Sequence, residues 1–353
     1  MTRYNPLFLW ITLSFSILQQ SDAQKSSSRT VIAFGSCGHE TEPQPVLKLA
    51  ADLNPDLFIF LGDNIYGDTY DMDVLKSKYA MLGAKSEFQA LKKSTNILAT
   101  WDDHDYGVND TGRHYPFKVE SKQIFLDFFG EPAESPRRKR EGIYTSNYYT
   151  YGTRILQVIL LDTRTFRDDL RIYRGELHRE ERYFYPLDYY PYATQDSTLL
   201  GDVQWKWLEA ELSRPADVRI ICSSTQFGIE FNGYEAWANY PHEQQKMLEL
   251  IKKTKAEGVI FLSGDVHYSE ISKLESPGLY PVYDFTSSGI TSTWHFATPN
   301  KNRIEGPVMD NHFGLVTIDW KPGDPLIRME NIDITANQRF EYSIPLSRLK
   351  FNK

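Results

Sequence analysis

The chain has 353 residues, of which 41% are hydrophobic and 14% are aromatic. This length and apolar content are sufficient for a large core and exclude a chain that is disordered throughout. The formal net charge of -8 excludes a nucleic-acid coat protein, which needs a basic surface. It does not exclude a phosphate ligand, because bound cations can supply positive charge locally.

The N-terminal 23 residues have the pattern of a secretory signal peptide. Arg3 supplies a positive start, residues 7–18 form an apolar run too short to span a bilayer, and Ser21-Asp22-Ala23 offers a cleavage site after Ala23. We predict a signal peptide at 1–23, a linker at 24–29 and one domain at 30–350. The protein is then secreted or periplasmic, without a stable membrane span; an uncleaved N-terminal anchor is the alternative.

Export permits disulfide bonds, but the chain has only two cysteines, Cys37 and Cys222. Both follow strand-like runs, so one bridge is conceivable. A single bridge in a chain of this length is not a disulfide framework.

Strands and helices alternate in the first third of the chain. Apolar runs predict strands at 31–34, 57–61 and 96–100. Apolar spacing and helix-start residues predict helices at 45–53, 71–82 and 86–91. Because these strands are apolar on both faces, the pattern indicates a largely parallel sheet covered by helices on both sides.

The rest of the chain continues the alternation and then changes. The predicted elements are a helix at 116–129, a solvated basic loop at 136–140, strands at 148–151 and 155–161, a helix that Asp202 caps, a strand at 218–221, a helix at 242–255 and a strand at 259–262. Residues 168–197, rich in tyrosine and arginine, predict a long ordered loop beside the site. Late strands at 282–285, 315–320 and 340–344 have no intervening helices, so we predict that they form a second sheet packed on the first.

Residues able to bind metals follow four of the predicted strands. They are Cys37, Asp63 with Tyr66, Asp103 with His104, and Asp265 with His267. The carboxyl ends of strands in open α/β sheets meet at one edge, where sites form. Carboxylates suit hard cations, whereas thiolate and imidazole suit transition metals. Each cluster alone has a structural explanation as a turn, a buried cysteine or a capping pair. Together they predict two different metal ions sharing a carboxylate, which is a site for hydrolysing phosphate esters.

Several motifs in these clusters resemble the alkaline phosphatase D (PhoD-like) family of calcineurin-like metallophosphoesterases. The motifs are Gly35-Ser36-Cys37, Gly62-Asp63-Asn64-Ile65-Tyr66, Trp101-Asp102-Asp103-His104-Asp105 with Asn109, Asp162-Thr163-Arg164 and Gly264-Asp265-Val266-His267. They cover roughly residues 31–285. The resemblance implies an α/β fold in which two mixed β-sheets pack in a sandwich flanked by helices, the four-layer metallophosphoesterase-like arrangement.

The resemblance also implies roles for individual residues. One ion, ferric in the family, would be held by Cys37, Tyr66 and His267, with Asp63 bridging. The second ion, calcium in the family, would be held by Asp103, Asn109 and Asp265. Zinc or manganese remain alternatives for this chain. His104 would protonate the leaving oxygen or stabilise the transition state, and Arg164 would bind the phosphoryl oxygens.

The chain departs from the superfamily pattern at two places. Cys37-Gly38-His39 stands where the wider superfamily has Asp-x-His, so His39 is either an extra ligand or a residue at the rim. Gln226 stands where a histidine ligand is expected, and Asp68 is a candidate replacement.

We therefore expect a secreted metal-dependent phosphoric-ester hydrolase that acts on a small phosphate monoester or diester. The alternative is a non-catalytic metal- or phosphate-binding surface protein on the same fold. A serine hydrolase is disfavoured because no serine lies in a Gly-x-Ser-x-Gly motif. The sequence does not indicate an oligomeric state.

Overall fold

The computed structural model describes residues 28–172, 188–230 and 233–352. The strands are β1 (Arg29–Gly35), β2 (Leu57–Leu61), β3 (Asn96–Thr100), β4 (Thr145–Tyr151), β5 (Arg154–Leu160), β6 (Val218–Ser223), β7 (Val259–Ser263), β8 (Ser269–Leu274), β9 (Val282–Ser287), β10 (Arg303–Val308), β11 (His312–Asp319), β12 (Leu326–Asp333) and β13 (Gln338–Pro345). The helices are α1 (Pro45–Asp52), α2 (Met72–Ala84), α3 (Ser86–Ser94), α4 (Asp103–Tyr106), α5 (Lys118–Phe128), α6 (Pro136–Lys139), α7 (Gly201–Leu212) and α8 (Pro241–Thr254), with short 3-10 turns at Trp237–Asn239 and Leu346–Leu349.

The strands form two mixed sheets. One has the order β13-β12-β11-β1-β2-β3, and the other has the order β10-β8-β9-β7-β6-β5-β4. The strands β1, β2 and β3 are parallel in the first sheet, as are β5, β6, β7 and β9 in the second. Antiparallel strands flank the parallel strands on both sides in the second sheet but on one side only in the first, where β3 is an edge strand. The carboxyl ends of the parallel strands are where the candidate site is built.

The alternation of side chains along β1 explains the layers. Ile32 and Phe34 belong to the core between the sheets, whereas Ala33 belongs to the core under the helices of the first sheet. Phe34 meets Phe285 of the second sheet edge to face, with 4.9 Å between ring centroids. Residues of α7 and α8 complete the core on the outer face of the second sheet. The result is a four-layer arrangement of helices, sheet, sheet and helices.

The prediction that the late strands form a sheet of their own is wrong. Strand β9 pairs in parallel with β7 in the second sheet, while β11 pairs antiparallel with β1 in the first. An apolar run identifies a buried strand but does not identify its partner, because both sheets of a sandwich bury the same kinds of side chain.

Two local predictions also need correction. The basic run at 136–140 is not a solvated loop: its first four residues form α6, and Arg137 is buried, donating to Glu131 and to the carbonyl oxygens of Ala99 and Ile143. Asp202 does not cap α7 but lies in its first turn, and the Gly201 amide donates to Thr198 Oγ1 instead.

Some predictions fall on residues that the structure does not describe. The signal peptide at 1–23 and most of the linker lie outside the described residues, as do residues 173–187 of the predicted loop. Within the described ranges, no helix combines the length and the apolar character needed to cross a membrane. Cys37 and Cys222 are both buried, and both are free thiols.

Candidate metal centre

The predicted clusters converge at the carboxyl ends of strands from both sheets. Cys37 follows β1, Asp63 follows β2, Asp103 follows β3, and Asp265 with His267 follows β7. Nine non-glycine residues have positive φ in the described parts of the chain, and six of them lie in this region. Those six are Cys37, Asp63, Asp68, Asp110, Asp265 and His267. Such backbone conformations cost free energy and persist where the surrounding structure imposes them, as at functional sites.

Gly62 shows how closely the backbone is packed here. Its φ is +104°, and a Cβ atom at this position would lie 2.5 Å from Cβ of Asp102 and 2.7 Å from its amide nitrogen. Only a residue without a side chain permits this approach. The glycine therefore lets the turn carrying Asp63 lie directly against the turn that follows β3.

Side chains from these turns, together with Glu235, form four groups, and within each group the candidate ligand atoms lie within 4.8 Å of one another. The groups are Cys37 with Asp63 and His267; Asp63 with Asp103 and His104; Asp102 with Asp103 and Asp265; and Asp103 with Asp110 and Glu235. Asp63 belongs to the thiol-containing group and to a group built on Asp103. A carboxylate in this shared position can bridge two cations, so the geometry fits two adjacent ions of different preference.

Several polar atoms in these groups are buried without a hydrogen-bond partner. They are Asp63 Oδ1, Asp102 Oδ2, Asp103 Oδ1 and the hydroxyl of Tyr66. Unpartnered buried carboxylate oxygens are costly unless a cation or a proton satisfies them. Burial raises the pKa of Asp63 and of the Cys37 thiol well above their ordinary values, and nearby acidic groups add to both shifts. These donors therefore fit metal ions, which would stabilise their deprotonated forms.

The groups open into a cavity of about 160 Å³. Six carboxylates line it, those of Asp63, Asp103, Asp110, Asp188, Glu235 and Asp265. His104, Asn109 and His267 also line it, but no lysine or arginine does so among the described residues. A phosphate would be repelled by such a wall, so the cavity can hold an anion only together with cations.

His104 is held by Asp68 at the edge of the cavity. Its Nδ1 atom lies 2.8 Å from each carboxylate oxygen of Asp68. Burial lowers the pKa of His104, but Asp63, Asp103 and Asp68 outweigh this effect and raise it to about 11. The Asp68 carboxylate therefore orients the imidazole. Asp68, the candidate replacement ligand, is occupied in this pairing and belongs to none of the four groups.

His39 lies at the rim. Its Nδ1 atom lies 2.9 Å from the hydroxyl of Thr41, and its ring stacks on Tyr66 with 5.0 Å between centroids. It belongs to none of the metal-binding groups found among the described residues. Of the two interpretations of His39, its placement supports the rim residue.

His267 forms one of the four groups with Cys37 and Asp63, and Tyr66 interacts electrostatically with the same two residues. Burial of the ring and the charge of His104 lower the pKa of His267 to about 4, so this imidazole is neutral and able to act as a ligand. Burial raises the pKa of Tyr66 well above its ordinary value, and Cys37 and Asp63 raise it further. Asn109 is exposed at the cavity, and its side-chain amide donates to Asp110 at 2.7 Å.

Arg164 is fully buried behind the carboxylates. Its Nη1 atom donates to both carboxylate oxygens of Glu235, at 2.8 and 2.7 Å, and its Nε atom donates to Asp102. Its Nη2 atom pairs with Asp102 and lies 3.5 Å from Asp103. The guanidinium does not line the cavity, so the expected direct contact with phosphoryl oxygens does not fit this arrangement.

Comparison with known proteins agrees with this geometry. The sequence model of the PhoD-like phosphatase family matches residues 32–313. The chain belongs to the PhoD-like phosphatase family. It is 23% identical to alkaline phosphatase D of Bacillus subtilis over 281 residues, which are 69% of this chain and 46% of that protein. The chain therefore spans about half the length of that curated relative.

Solved structures share the fold. The structure of PhoD superposes with a TM-score of 0.72 at 19% identity, covering 92% of this chain and 71% of that one. GAP50, described as the anchor in the inner membrane complex of Plasmodium, gives 0.56 at 12% identity, covering 92% and 90%. A dimetal phosphatase from Danio rerio gives 0.50 at 14% identity, covering 92% and 99%. The predicted fold class, a metallophosphoesterase-like sandwich of two mixed sheets, is confirmed.

Three acidic residues of the PhoD-like site were not assigned a role from the sequence. They are Asp102, Asp110 and Glu235. Asp110 directly follows the recognised Asn109, which is a usable signal, whereas Glu235 comes from the segment between β6 and α8 and has no motif around it. Gln226, at the position of the missing histidine, donates to Glu270 at 2.7 Å and is absent from the cavity lining. Gln226 therefore contributes no side chain to the cavity.

Proposed function

We propose that this PhoD-like protein is a metal-dependent phosphoric-ester hydrolase that acts on small phosphate monoesters or diesters. One observation carries the proposal: two groups of candidate metal ligands share Asp63 at a cavity lined by carboxylates. Among the described residues, no lysine or arginine lines this cavity to bind an anion. In this arrangement the carboxylates would bind cations, and a phosphate would then bind to those cations. The family and the shared fold support the same conclusion.

The donor atoms suggest which ions would be held. Cys37, Tyr66 and His267 are soft or anionic donors suited to a transition metal, ferric iron in the family, with Asp63 shared between the ions. The second set offers only oxygen donors, which suit calcium, although zinc or manganese would also fit. This set comprises Asp103, Asn109 and Asp265, and we add Asp110 and Glu235. When bound, such ions supply positive charge to the phosphoryl oxygens and lower the pKa of a bound water.

His104 is the proposed general acid. Asp68 accepts the hydrogen bond from its Nδ1 atom, so its Nε2–H remains available to protonate the leaving oxygen. Asp68, which belongs to none of the four candidate groups, holds the ring in this orientation. Arg164 is proposed as a positioning residue that fixes Asp102 and Glu235, in place of a direct phosphoryl contact.

Replacing His104 tests the function directly. The metal-loaded His104→Ala variant should lose about 10²- to 10⁴-fold in kcat on a para-nitrophenyl phosphate ester while keeping the metal content of the unaltered protein. His114→Ala is the matched control, because His114 is also paired with an aspartate, Asp169, but is exposed and outside the cavity. Near-native turnover by His104→Ala would refute the catalytic assignment. Absence of turnover in the metal-loaded unaltered protein would favour a non-catalytic metal- or phosphate-binding protein.

The proposed site of action is outside the cytoplasm. The signal-like pattern of residues 1–23 supports export, and the proposal places cleavage after Ala23 and the catalytic domain at 30–350. Mass spectrometry of the protein recovered from its expressing cell should give Gln24 as the first residue. An intact residue 1 in the recovered protein would support the uncleaved anchor instead.

A further inference from the structure

Three aromatic rings form a continuous surface at one side of the cavity. Trp294 stacks on Phe296 with 5.2 Å between centroids and 22° between planes, and Tyr234 lies 5.0 Å from Trp294. Trp294 and Tyr234 both line the cavity, and 38% of Phe296 is exposed. We call these three residues the aromatic shelf. It extends from the carboxylates of the centre toward solvent.

The shelf is fixed to the metal-binding residues. Trp294 lies parallel to His267, with 5.3 Å between centroids and 8° between planes, and its backbone amide donates to the His267 carbonyl oxygen at 3.0 Å. A rigid aromatic face therefore stands directly beside the position that a phosphoryl group would occupy. Large half-exposed rings in such a place provide a stacking surface for a flat group of a ligand.

His104 and two rings of the aromatic shelf line the same cavity but have different neighbours. His104 contacts Asp68 and Tyr66, whereas the rings next to Trp294 are His267, Tyr234, Tyr268 and Phe296. The leaving oxygen must face His104, because that imidazole protonates it. A group that stays on phosphorus can then reach the shelf, because Trp294 and Tyr234 line the same cavity as His104.

We propose that the aromatic shelf binds a planar ring carried by the ester group that remains attached to phosphorus. This inference rests on the proposed hydrolase function and adds the class of substrate: phosphate esters with an aryl or similarly flat group on the non-leaving side. Stacking of such a ring on Trp294 supplies affinity that the acidic cavity does not offer to a small alkyl group.

Two diesters with the same leaving group test the shelf. They are bis(para-nitrophenyl) phosphate, which keeps a ring on phosphorus, and methyl para-nitrophenyl phosphate, which keeps a methyl group. The second aryl group also activates phosphorus chemically, so the diagnostic quantity is the change in the ratio of the two kcat/KM values when Trp294 is replaced. Trp294→Leu should lower this ratio about tenfold, and Trp294→Phe should restore most of it.

A second shelf position and a control position test whether the change in the ratio is specific to the shelf. Phe296→Leu should lower the ratio by a smaller factor, because Phe296 lies behind Trp294 and outside the cavity lining. Trp207→Leu should leave it unchanged, since Trp207 packs on Tyr144 away from the cavity. An unchanged ratio in Trp294→Leu would overturn the inference.

Equilibrium binding separates failure of the inference from failure of the function. Calorimetry on the metal-loaded protein would compare diphenyl phosphate with dimethyl phosphate, which carry the same charge. Diphenyl phosphate should bind about tenfold more weakly to Trp294→Leu than to the unaltered protein, and dimethyl phosphate should show no such difference. This result would support the aromatic shelf even if neither diester were hydrolysed. Absence of hydrolysis would refute the proposed hydrolase function but not the binding of a ring to the shelf. Equal losses for both ligands would overturn the shelf.

Discussion

Replacement of Arg164 by methionine distinguishes a positioning residue from a phosphate-binding one. The guanidinium is fully buried and contacts carboxylates, chiefly those of Asp102 and Glu235. Methionine keeps much of the volume but removes the charge and all three hydrogen bonds. Both carboxylates would then remain buried without their main cationic partner, which is the costly way to break a buried ion pair.

The loss can be given a magnitude. Breaking a buried pair by removing one partner costs about 3–5 kcal/mol. Asp102 keeps a hydrogen bond from Ser224, and Glu235 keeps an ion pair with Arg167 at 3.2 Å, so the lower end of this range applies. We expect Arg164→Met to lower the free energy of unfolding by about 3 kcal/mol. Kcat should fall as well, because the carboxylates that Arg164 holds belong to the centre.

The assay is urea denaturation of the metal-free protein, together with steady-state kinetics of the metal-loaded one. Arg113→Met is the matched control, because Arg113 pairs with Asp168 in an exposed position, where such a pair contributes about 0–1 kcal/mol. A loss of under about 1 kcal/mol in Arg164→Met, combined with a raised KM and an unchanged kcat, would refute this reasoning. That result would instead assign Arg164 to direct binding of the phosphoryl oxygens.

Two further predictions concern stability and the geometry of the turns. Burial lowers the pKa of His312 to about 4, so the stability gained by keeping this ring neutral is present above pH 6.5 and is lost as the pH falls toward 4. Metal-free unaltered protein should therefore lose about 3 kcal/mol more than His312→Asn over this interval in urea denaturation; equal losses would contradict the prediction. Gly62→Ala should reduce metal content, because its Cβ would collide with Asp102, whereas Gly152→Ala, also at positive φ but in open space, should retain it. Full metal content in Gly62→Ala would show that the turn can shift without disturbing the ligands.

Four residues of the candidate site could be predicted because they lie at the ends of apolar strands. Cys37, Asp63, Asp103 and Asp265 each follow a short buried run, and the carboxyl ends of parallel strands meet at one edge. Local apolar pattern and chain order were sufficient for this inference. The same reasoning predicted a second sheet packed on the first but built it only from the late strands, whereas the sandwich of two mixed sheets flanked by helices was implied by the resemblance to the PhoD-like family.

The remaining features depend on contacts that the local sequence does not encode. Glu235 reaches the centre from a segment between β6 and α8, and the burial of Arg164 depends on carboxylates far from it in sequence. From the sequence, Asp68 was a candidate replacement ligand, but both of its carboxylate oxygens lie within hydrogen-bond distance of His104 Nδ1. The division of the late strands between the sheets likewise depends on edge pairing with β1 and β7.

Metal content, measured together with the visible spectrum, tests whether the chain holds the proposed pair of metal ions. The unaltered protein, Cys37→Ser and Cys222→Ser would be compared, since both cysteines are buried free thiols but only Cys37 lies in a metal-binding group. The account predicts iron with calcium and a charge-transfer band from thiolate and phenolate ligands. The thiolate part of this band should be lost in Cys37→Ser and kept in Cys222→Ser. Absence of bound metal in the unaltered protein, with no activity restored by added metal ions, would contradict the account.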